Sequence, residues 1–299
     1  MTLVCRFLVA AATACTAAPL AAQTAAQPSA QSPALPNRAG SVRFLVLGDA
    51  GTGDRPQYEV ARQIVSYRQR FPFTFAILLG DNIYGRERPQ DFAKKFERPY
   101  KALLDGGVEF HAALGNHDDP NQRYYKPYNL GGKRYRTFKK ENVRFFILDS
   151  NYLDPEQVRW LTRELEASGS DWKIAYFHHP LYTTARRGPE VELRAILEPI
   201  FVKHGVDVVF AGHEHIYERF KPQKGIYHFT VGGAAKLRFG DTRRSPIIDA
   251  RYDRDRSFLL VEIAGDSLFY QAVNRAGRVV DRGAIGRRTP AQPVQASRP

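Results

Sequence analysis

Two histidines stand one residue apart in Gly212-His213-Glu214-His215, two residues after the apolar run Val206-Asp207-Val208-Val209-Phe210. The run reads as a buried strand that stops at a glycine. Neutral imidazoles at the carboxyl end of such a strand are well placed to bind a metal, because ligands of α/β sheets collect in the loops beyond the strand ends. A lone His-x-His is weak evidence, so the other ligands have to come from elsewhere in the chain. Four more strand-end loops carry polar residues that an apolar core would not select: Asp49; Asp81 with Tyr84; Asn116 with His117; and His178 with His179. Each has a bland reading. Asp49 and Asp81 suit turn or helix caps, Asn116 suits a left-handed turn, and His178-His179-Pro180 suits a strand terminator. Five such loops in one chain are more simply read together as one site.

The elements that must position these loops follow from periodicity. Residues 42–47, 75–79, 110–114, 172–177 and 206–210 read as buried strands, each ending at one of the five loops. Helical spacing predicts helices over 55–70, 89–104, 155–167 and 189–204, the last kinked at Pro199. Residues 135–138 and 143–148 look like a hairpin pair, and 226–231, 258–263 and 268–273 read as closing strands. Strands alternating with helices, followed by strands alone, predict an α/β fold: a two-sheet β-sandwich flanked by helices in four αββα layers.

Length and composition bound the rest. With 299 residues, 43% of them apolar, the chain can bury a substantial core. A formal charge of +13 suits an anionic partner, or else an ordinary solvated basic surface. Residues 1–22 read as a secretory signal: Arg6 is their only charge, and an apolar, alanine-rich stretch follows. Cleavage is expected between Leu20 and Ala26, which implies a secreted or periplasmic protein. Lipoprotein processing at Cys15 is the weaker alternative, because Ala12-Thr13-Ala14 matches the usual signal poorly. No later apolar run approaches membrane-spanning length. Residues 23–40 read as a disordered linker, 41–285 as the folded domain and 286–299 as a flexible tail. Both cysteines, Cys5 and Cys15, fall inside the signal. Any metal in the mature chain is therefore held by oxygen and nitrogen donors, which favours harder ions.

In this order and at these separations GDAG, GDNIY, GNHD, HHP and GHEH resemble the five motifs of the calcineurin-like metallophosphoesterases, across residues 44 to 232. In the wider superfamily the first motif usually carries a histidine where Gly51 stands here. GDxxY, with Tyr84, and His215-Ile216-Tyr217-Glu218-Arg219 are similar to the purple acid phosphatase branch. The resemblance implies one metal on Asp49, Asp81, Tyr84 and His215, typically ferric iron. It implies a second, Fe, Zn or Mn, on Asp81, Asn116, His178 and His213, with Asp81 bridging. It further implies that His117 contacts the phosphate and protonates the leaving group, and that a metal-bound hydroxide hydrolyses a phosphate monoester. Asp118 is read as orienting His117, and His179 and Arg186, with Arg187 beside it, as contacting a small phosphorylated substrate. The stretch 121–140 is read as the wall of the leaving-group pocket. His111, His204 and His228 take structural readings.

Two alternatives stay open: a phosphodiesterase on cyclic nucleotides or phospholipid headgroups, and a basic anion-binding module with a structural metal site. Nucleic acid enters only as a substrate or a non-specific anion. The oligomeric state is left open.

Overall fold

The computed structural model describes residues 35–169 and 171–288. The expected signal over 1–22, residues 23–34 of the linker and residues 289–299 of the tail lie outside the described residues.

In chain order the strands are β1 (Val42–Leu47), β2 (Phe75–Leu79), β3 (Glu109–Ala113), β4 (Arg136–Lys140), β5 (Val143–Ile147), β6 (Trp172–Phe177) and β7 (Val208–Ala211). Then follow β8 (Tyr217–Phe220), β9 (Tyr227–Val231), β10 (Ile248–Tyr252), β11 (Ser257–Ala264), β12 (Ser267–Asn274) and β13 (Val279–Gly286). The helices are α1 (Arg55–Arg68), α2 (Pro89–Phe92), α3 (Lys101–Asp105), α4 (Pro155–Ala167) and α5 (Val191–His204). Six strands form one sheet in the order β13-β12-β11-β1-β2-β3, and seven form the other in the order β10-β8-β9-β7-β6-β5-β4. The parallel pairs β1–β2–β3 and β5–β6–β7–β9 are the ones whose carboxyl ends feed the polar loops.

Aromatic side chains join the two sheets. Phe44 of β1 is fully buried, with its ring 5.3 Å from Phe145 of β5 and 6.2 Å from Phe210 of β7. Alternation then decides what the next residue touches, since successive side chains of a strand point to opposite faces. Phe145 belongs to the core between the sheets, whereas Phe146 packs with Leu161 and Leu165 of α4 and Leu197 and Phe201 of α5. On the outside of the other sheet, α1 buries Val60, Ala61, Ile64 and Tyr67, and the Tyr67 ring lies 5.8 Å from Phe258 of β11. Helices outside two facing sheets make the expected four layers. Central strands covered on both faces are mostly apolar, with Arg43 of β1, Lys173 of β6 and Glu262 of β11 as exceptions, which is why they were readable as nearly continuous runs.

Two helices share one start. Asp54 and Asp154 cap α1 and α4 by accepting the Gln57 and Gln157 N–H groups, each with a proline in the first helical turn. The helix expected over 89–104 is instead broken into α2, a π-helical turn at Ala93–Glu97, and α3. Side chains of α1 account for the break. Tyr58 Oη donates to the Lys94 carbonyl at 2.8 Å and Gln57 Nε2 to the Lys95 carbonyl at 2.5 Å, which draws both out of the α-helical ladder. Pro199, by contrast, does not interrupt α5. The short strands β8 and β10 and the eight-residue strand β13 were not expected.

The folded body extends past both expected edges, 41 and 285. Glu262 of β11, fully buried, accepts Asn37 N–H at 2.7 Å, Arg38 N–H at 2.6 Å and the Ser41 hydroxyl at 2.8 Å. At the other end Arg288 N–H donates to Asp207 at 3.0 Å. A protein begun at residue 41 would lose two of the three donors to Glu262, whereas one begun at residue 35 keeps them all. An unpaired buried carboxylate costs roughly 1–3 kcal/mol or more, so the shorter chain should melt about 5 °C lower. Equal melting temperatures would show that residues 35–40 contribute nothing to the fold.

Candidate metal centre

The carboxyl ends of β1, β2 and β3 carry Asp49, Asp81 and Tyr84, and Asn116 and His117. Those of β6 and β7 carry His178 and His179, and His213 and His215. The two sheet edges meet so closely that only glycine fits between them. A Cβ on Gly48 would lie 2.4 Å from the Val231 carbonyl oxygen, and one on Gly115 would lie 2.2 Å from Asp81 Oδ1. Three of the converging residues have left-handed backbone: Asp49 at φ 56°, Asp81 at φ 51° and His213 at φ 68°. Such conformations cost non-glycine residues energy and persist where the surroundings enforce them.

All seven residues expected as ligands converge there. Asp49 Oδ1 accepts the Tyr84 hydroxyl at 2.9 Å and lies 3.3 Å from His215 Nε2, which is itself 3.2 Å from the Tyr84 oxygen. In the neighbouring set Asn116 Oδ1, His178 Nε2 and His213 Nδ1 are mutually 3.0 Å apart. Asp81 touches both sets. Its carboxylate clusters with Asp49 and His215, and its Oδ1 is 3.4 Å from His178 Nε2. The ring orientation of His178 is fixed from behind, because its Nδ1 lies 2.9 Å from the Leu79 carbonyl and donates there, leaving Nε2 for the cluster.

Burial sets the protonation states. It pushes the Asp49 carboxyl up to about 8, only partly opposed by His178. Burial, then the charges of Asp49 and Asp81, raise the Tyr84 phenol far above its ordinary range. Burial lowers His213 to about 2 and His215 to about 4. Among the described residues no lysine or arginine pairs with Asp49 or Asp81, although both are buried. Buried charges are otherwise paired or coordinate metals. Neutral imidazoles, an amide oxygen, two carboxylates and a phenol fit hard or borderline cations, so these residues could hold a metal pair.

Sterics explain the departure in the first motif. A Cβ at Gly51 would lie 1.7 Å from the Asn82 carbonyl oxygen, so no side chain fits there. The Gly51 carbonyl instead accepts Tyr84 N–H at 2.9 Å, and that contact helps hold the tyrosine at the centre.

Three expectations about neighbouring residues need correction. Asp118 makes no hydrogen bond to the His117 ring; its carboxylate accepts from Gly115 N–H at 2.8 Å, Asn82 N–H at 3.1 Å, Ile83 N–H at 3.0 Å, and the Asn82 and Gln122 side chains. It staples the second and third loops together. Arg186 turns away, 72% exposed, with Nε 3.7 Å from Asp241, while Arg187 Nη1 contacts His213 Nε2. The stretch 121–140 lines a different cleft; the one containing Asn116 and His179 has Pro120, Ser150, Asn151, Tyr152 and Glu190 in its walls. His117 is exposed, with its ring 5.1 Å from Tyr84 and its N–H on Asp81 Oδ1 at 2.9 Å. His179 Nδ1 lies 2.9 Å from the Ser150 hydroxyl.

Sequence reasoning missed Ser150, Lys236 and Arg238. Lys236 Nζ sits 4.5 Å from the Tyr84 ring centroid, and Arg238 pairs with the buried Glu214 at 2.8 Å. The available signal was Gly232-Gly233 just upstream: a Cβ on Gly232 would lie 2.1 Å from the Glu214 carbonyl oxygen, so this turn must pack against the His-x-His loop.

Fold and site together define a metallophosphoesterase. The family model for calcineurin-like phosphoesterases matches residues 42–217, and the chain belongs to that family. It is similar to the tartrate-resistant acid phosphatase type 5 of Rattus norvegicus, 24% identical over 301 residues that cover 84% of this chain and 92% of that protein. Among solved structures, a purple acid phosphatase from yellow lupin (Lupinus luteus) shares the fold at TM-score 0.65 and 19% identity, over 86% of this chain and 55% of that one. GAP50, described as the anchor in the inner membrane complex of Plasmodium, aligns at TM-score 0.71 and 18% identity, over 83% of this chain and 90% of that one. The chain is thus a phosphoric ester hydrolase of purple-acid-phosphatase-like type.

The shifted groups predict how the metal-free protein responds to pH. Burial raises the Asp118 carboxyl to about 7, as it raises Asp49 to about 8. Raised acids favour the fold at low pH and withdraw that stability as pH climbs to their folded values, whereas the depressed histidines withdraw stability only below their ordinary range near pH 6.5. Above about pH 6.5 the carboxylates act alone. The metal-free protein should therefore melt at progressively lower temperature up to about pH 8, and metal loading should flatten the curve. A metal-free melting temperature that rises or stays level over that window would contradict the burial-raised proton affinity of Asp49 and Asp118.

Proposed function

We propose that this enzyme hydrolyses phosphate monoesters at a two-metal centre, as an acid phosphatase. The observation that carries the reading is the position of Asp81, in contact with both ligand sets at once. In the reading Asp49, Asp81, Tyr84 and His215 hold ferric iron, and Asp81, Asn116, His178 and His213 hold Fe, Zn or Mn. A metal pair bound there supplies Lewis acidity, activating water and neutralising charge on the phosphoryl oxygens.

The chain's own residues do the rest. Arg187, beside His213, and Lys236, beside Tyr84, place two cations where a dianionic phosphoryl group would lie. Glu214, buried between the two histidines, holds Arg238 at 2.8 Å and lies 3.9 Å from Arg187. His117, exposed next to Tyr84, is free to pass a proton to the departing alkoxide. Asp118 keeps the loops of Asp81 and Asn116 in register, so its role is positional. The N-terminal segment with Arg6 and its alanine-rich run supports secretion or export to the periplasm. Fold alone would not choose an activity, since the Plasmodium anchor has the same fold. The complete ligand set favours catalysis over a pure anion-binding role.

Metal analysis with a visible spectrum is the direct test. Two metals per chain and a tyrosinate-to-iron band are expected, and Tyr84→Phe should abolish the band. Colour that survives this substitution would remove Tyr84 from the iron. Asn116→Ala or His213→Ala should empty the second site and suppress turnover of monoesters; full activity in either would sink the assignment. His117→Ala should slow esters of poor leaving groups by about 10²-fold or more and good ones much less. Equal losses would exclude the proton-donor role. Turnover confined to diesters would replace the monoester reading with the phosphodiesterase one.

A further inference from the structure

The centre opens into a cleft of about 450 Å³ whose chemistry differs from that of the phosphate side. Asn116 and His179, both from ligand loops, form one part of it, so whatever occupies the cleft is contiguous with the reacting phosphoryl group. No lysine or arginine lines it, although the chain carries 44 of these residues. Two of its three acids are already committed. Asp118 takes its five donors, and Asp149 is bound by Arg134 at 2.9 Å. The third, Glu190, heads α5 without capping it, and its carboxylate engages no hydrogen bond or ion pair among the described residues. Tyr152 presents a ring that is 63% exposed, and Leu193 adds apolar surface. The Arg134 guanidinium already lies 6.0 Å from the Tyr152 ring centroid, and an uncommitted carboxylate beside a largely exposed ring of that kind recognises a cation on an apolar body.

Resting on the monoester reading, we propose that this cleft seats the alcohol portion of the substrate and selects alcohols that bear an ammonium group. Glu190 and Tyr152 are then the residues that set specificity, and anionic leaving groups, second phosphates included, are disfavoured.

Three aryl esters of matched shape separate the possibilities: phenyl phosphate, (4-trimethylammonio)phenyl phosphate and 4-carboxyphenyl phosphate, with the metal-loaded enzyme. The ratio of kcat/KM for the ammonium ester to that for phenyl phosphate should exceed the value set by their leaving-group pKa difference by roughly three- to tenfold, and the carboxylate ester should fall below its own. Glu190→Gln should collapse the ammonium preference, Glu190→Lys should reverse it, and Tyr152→Ala should weaken it. Saturation-transfer NMR gives a readout independent of turnover: free (4-hydroxyphenyl)trimethylammonium should contact the metal-free protein, and the contact should weaken in Glu190→Gln. Turnover of all three esters with no preference sensitive to Glu190 would overturn the cleft assignment and leave the monoester reading standing. Failure to hydrolyse any of them would overturn both.

Discussion

Two buried carboxylates without a basic partner are the constraint on which this structure turns. Asp49 and Asp81 lie within the sandwich at the point where the two sheets meet, and both adopt left-handed backbone to reach the same point. A fold selected for stability alone would not place them there. Burial raises the proton affinity of the Asp49 carboxyl and destabilises its ionised form. The rest of the architecture limits that cost. Backbone N–H groups of His213 and His117 donate to Asp49 and Asp81, and glycines at 48, 80, 115, 212 and 232 let the loops close around them. A bound cation would supply the part of the site's chemistry that its own side chains cannot.

The same crowding explains why the centre is rigid. Phe44, Phe145 and Phe210 lock the sheets together behind it, so a strand end cannot shift without disturbing the core. Asp118 then ties the second loop to the third with five hydrogen bonds, and in the other sheet Ser150, just beyond β5, holds His179 beyond the neighbouring strand β6. A residue that looked like a catalytic partner from sequence is therefore a staple. Adjacency in sequence, His117 followed by Asp118, implied adjacency of function. The backbone instead sends the two side chains in different directions.

The legible part of the molecule was whatever repeats locally. Runs such as Phe75–Leu79 declared buried strands, and glycine-ended loops declared where they stop, so the layers and the seven converging residues could be read before any coordinates. What escaped depended on partners distant in sequence. The break between α2 and α3 comes from Gln57 and Tyr58, nearly forty residues upstream, capturing carbonyls at 94 and 95. Lys236 reaches Tyr84 only because Gly232 packs on Glu214, and no periodicity reports that contact. Of the doublet Arg186-Arg187 the sequence could not say which side chain faces inward; Glu214 and His213 decide it. The anchoring of residues 37 and 38 by Glu262 was hidden for the same reason, since proline and asparagine composition reads as linker wherever its partner is unseen.

The net charge of +13 can now be interpreted through its placement. A module built to grip a polyanion keeps its cations free along one face. Here many of the arginines are tied internally: Arg134 to Asp149 and Asp154, Arg219 to Asp281 and Asp249, Arg275 to Glu59 and Asp255, Arg238 to Glu214. Near the centre, Arg238 is held at 2.8 Å by Glu214, a carboxylate fully buried between two metal-ligand candidates, while Arg187 lies 3.9 Å from the same group. No lysine or arginine lines the adjoining cleft. That distribution agrees with the proposed small ester carrying one anionic end, and it argues against a cationic face built for a polyanion.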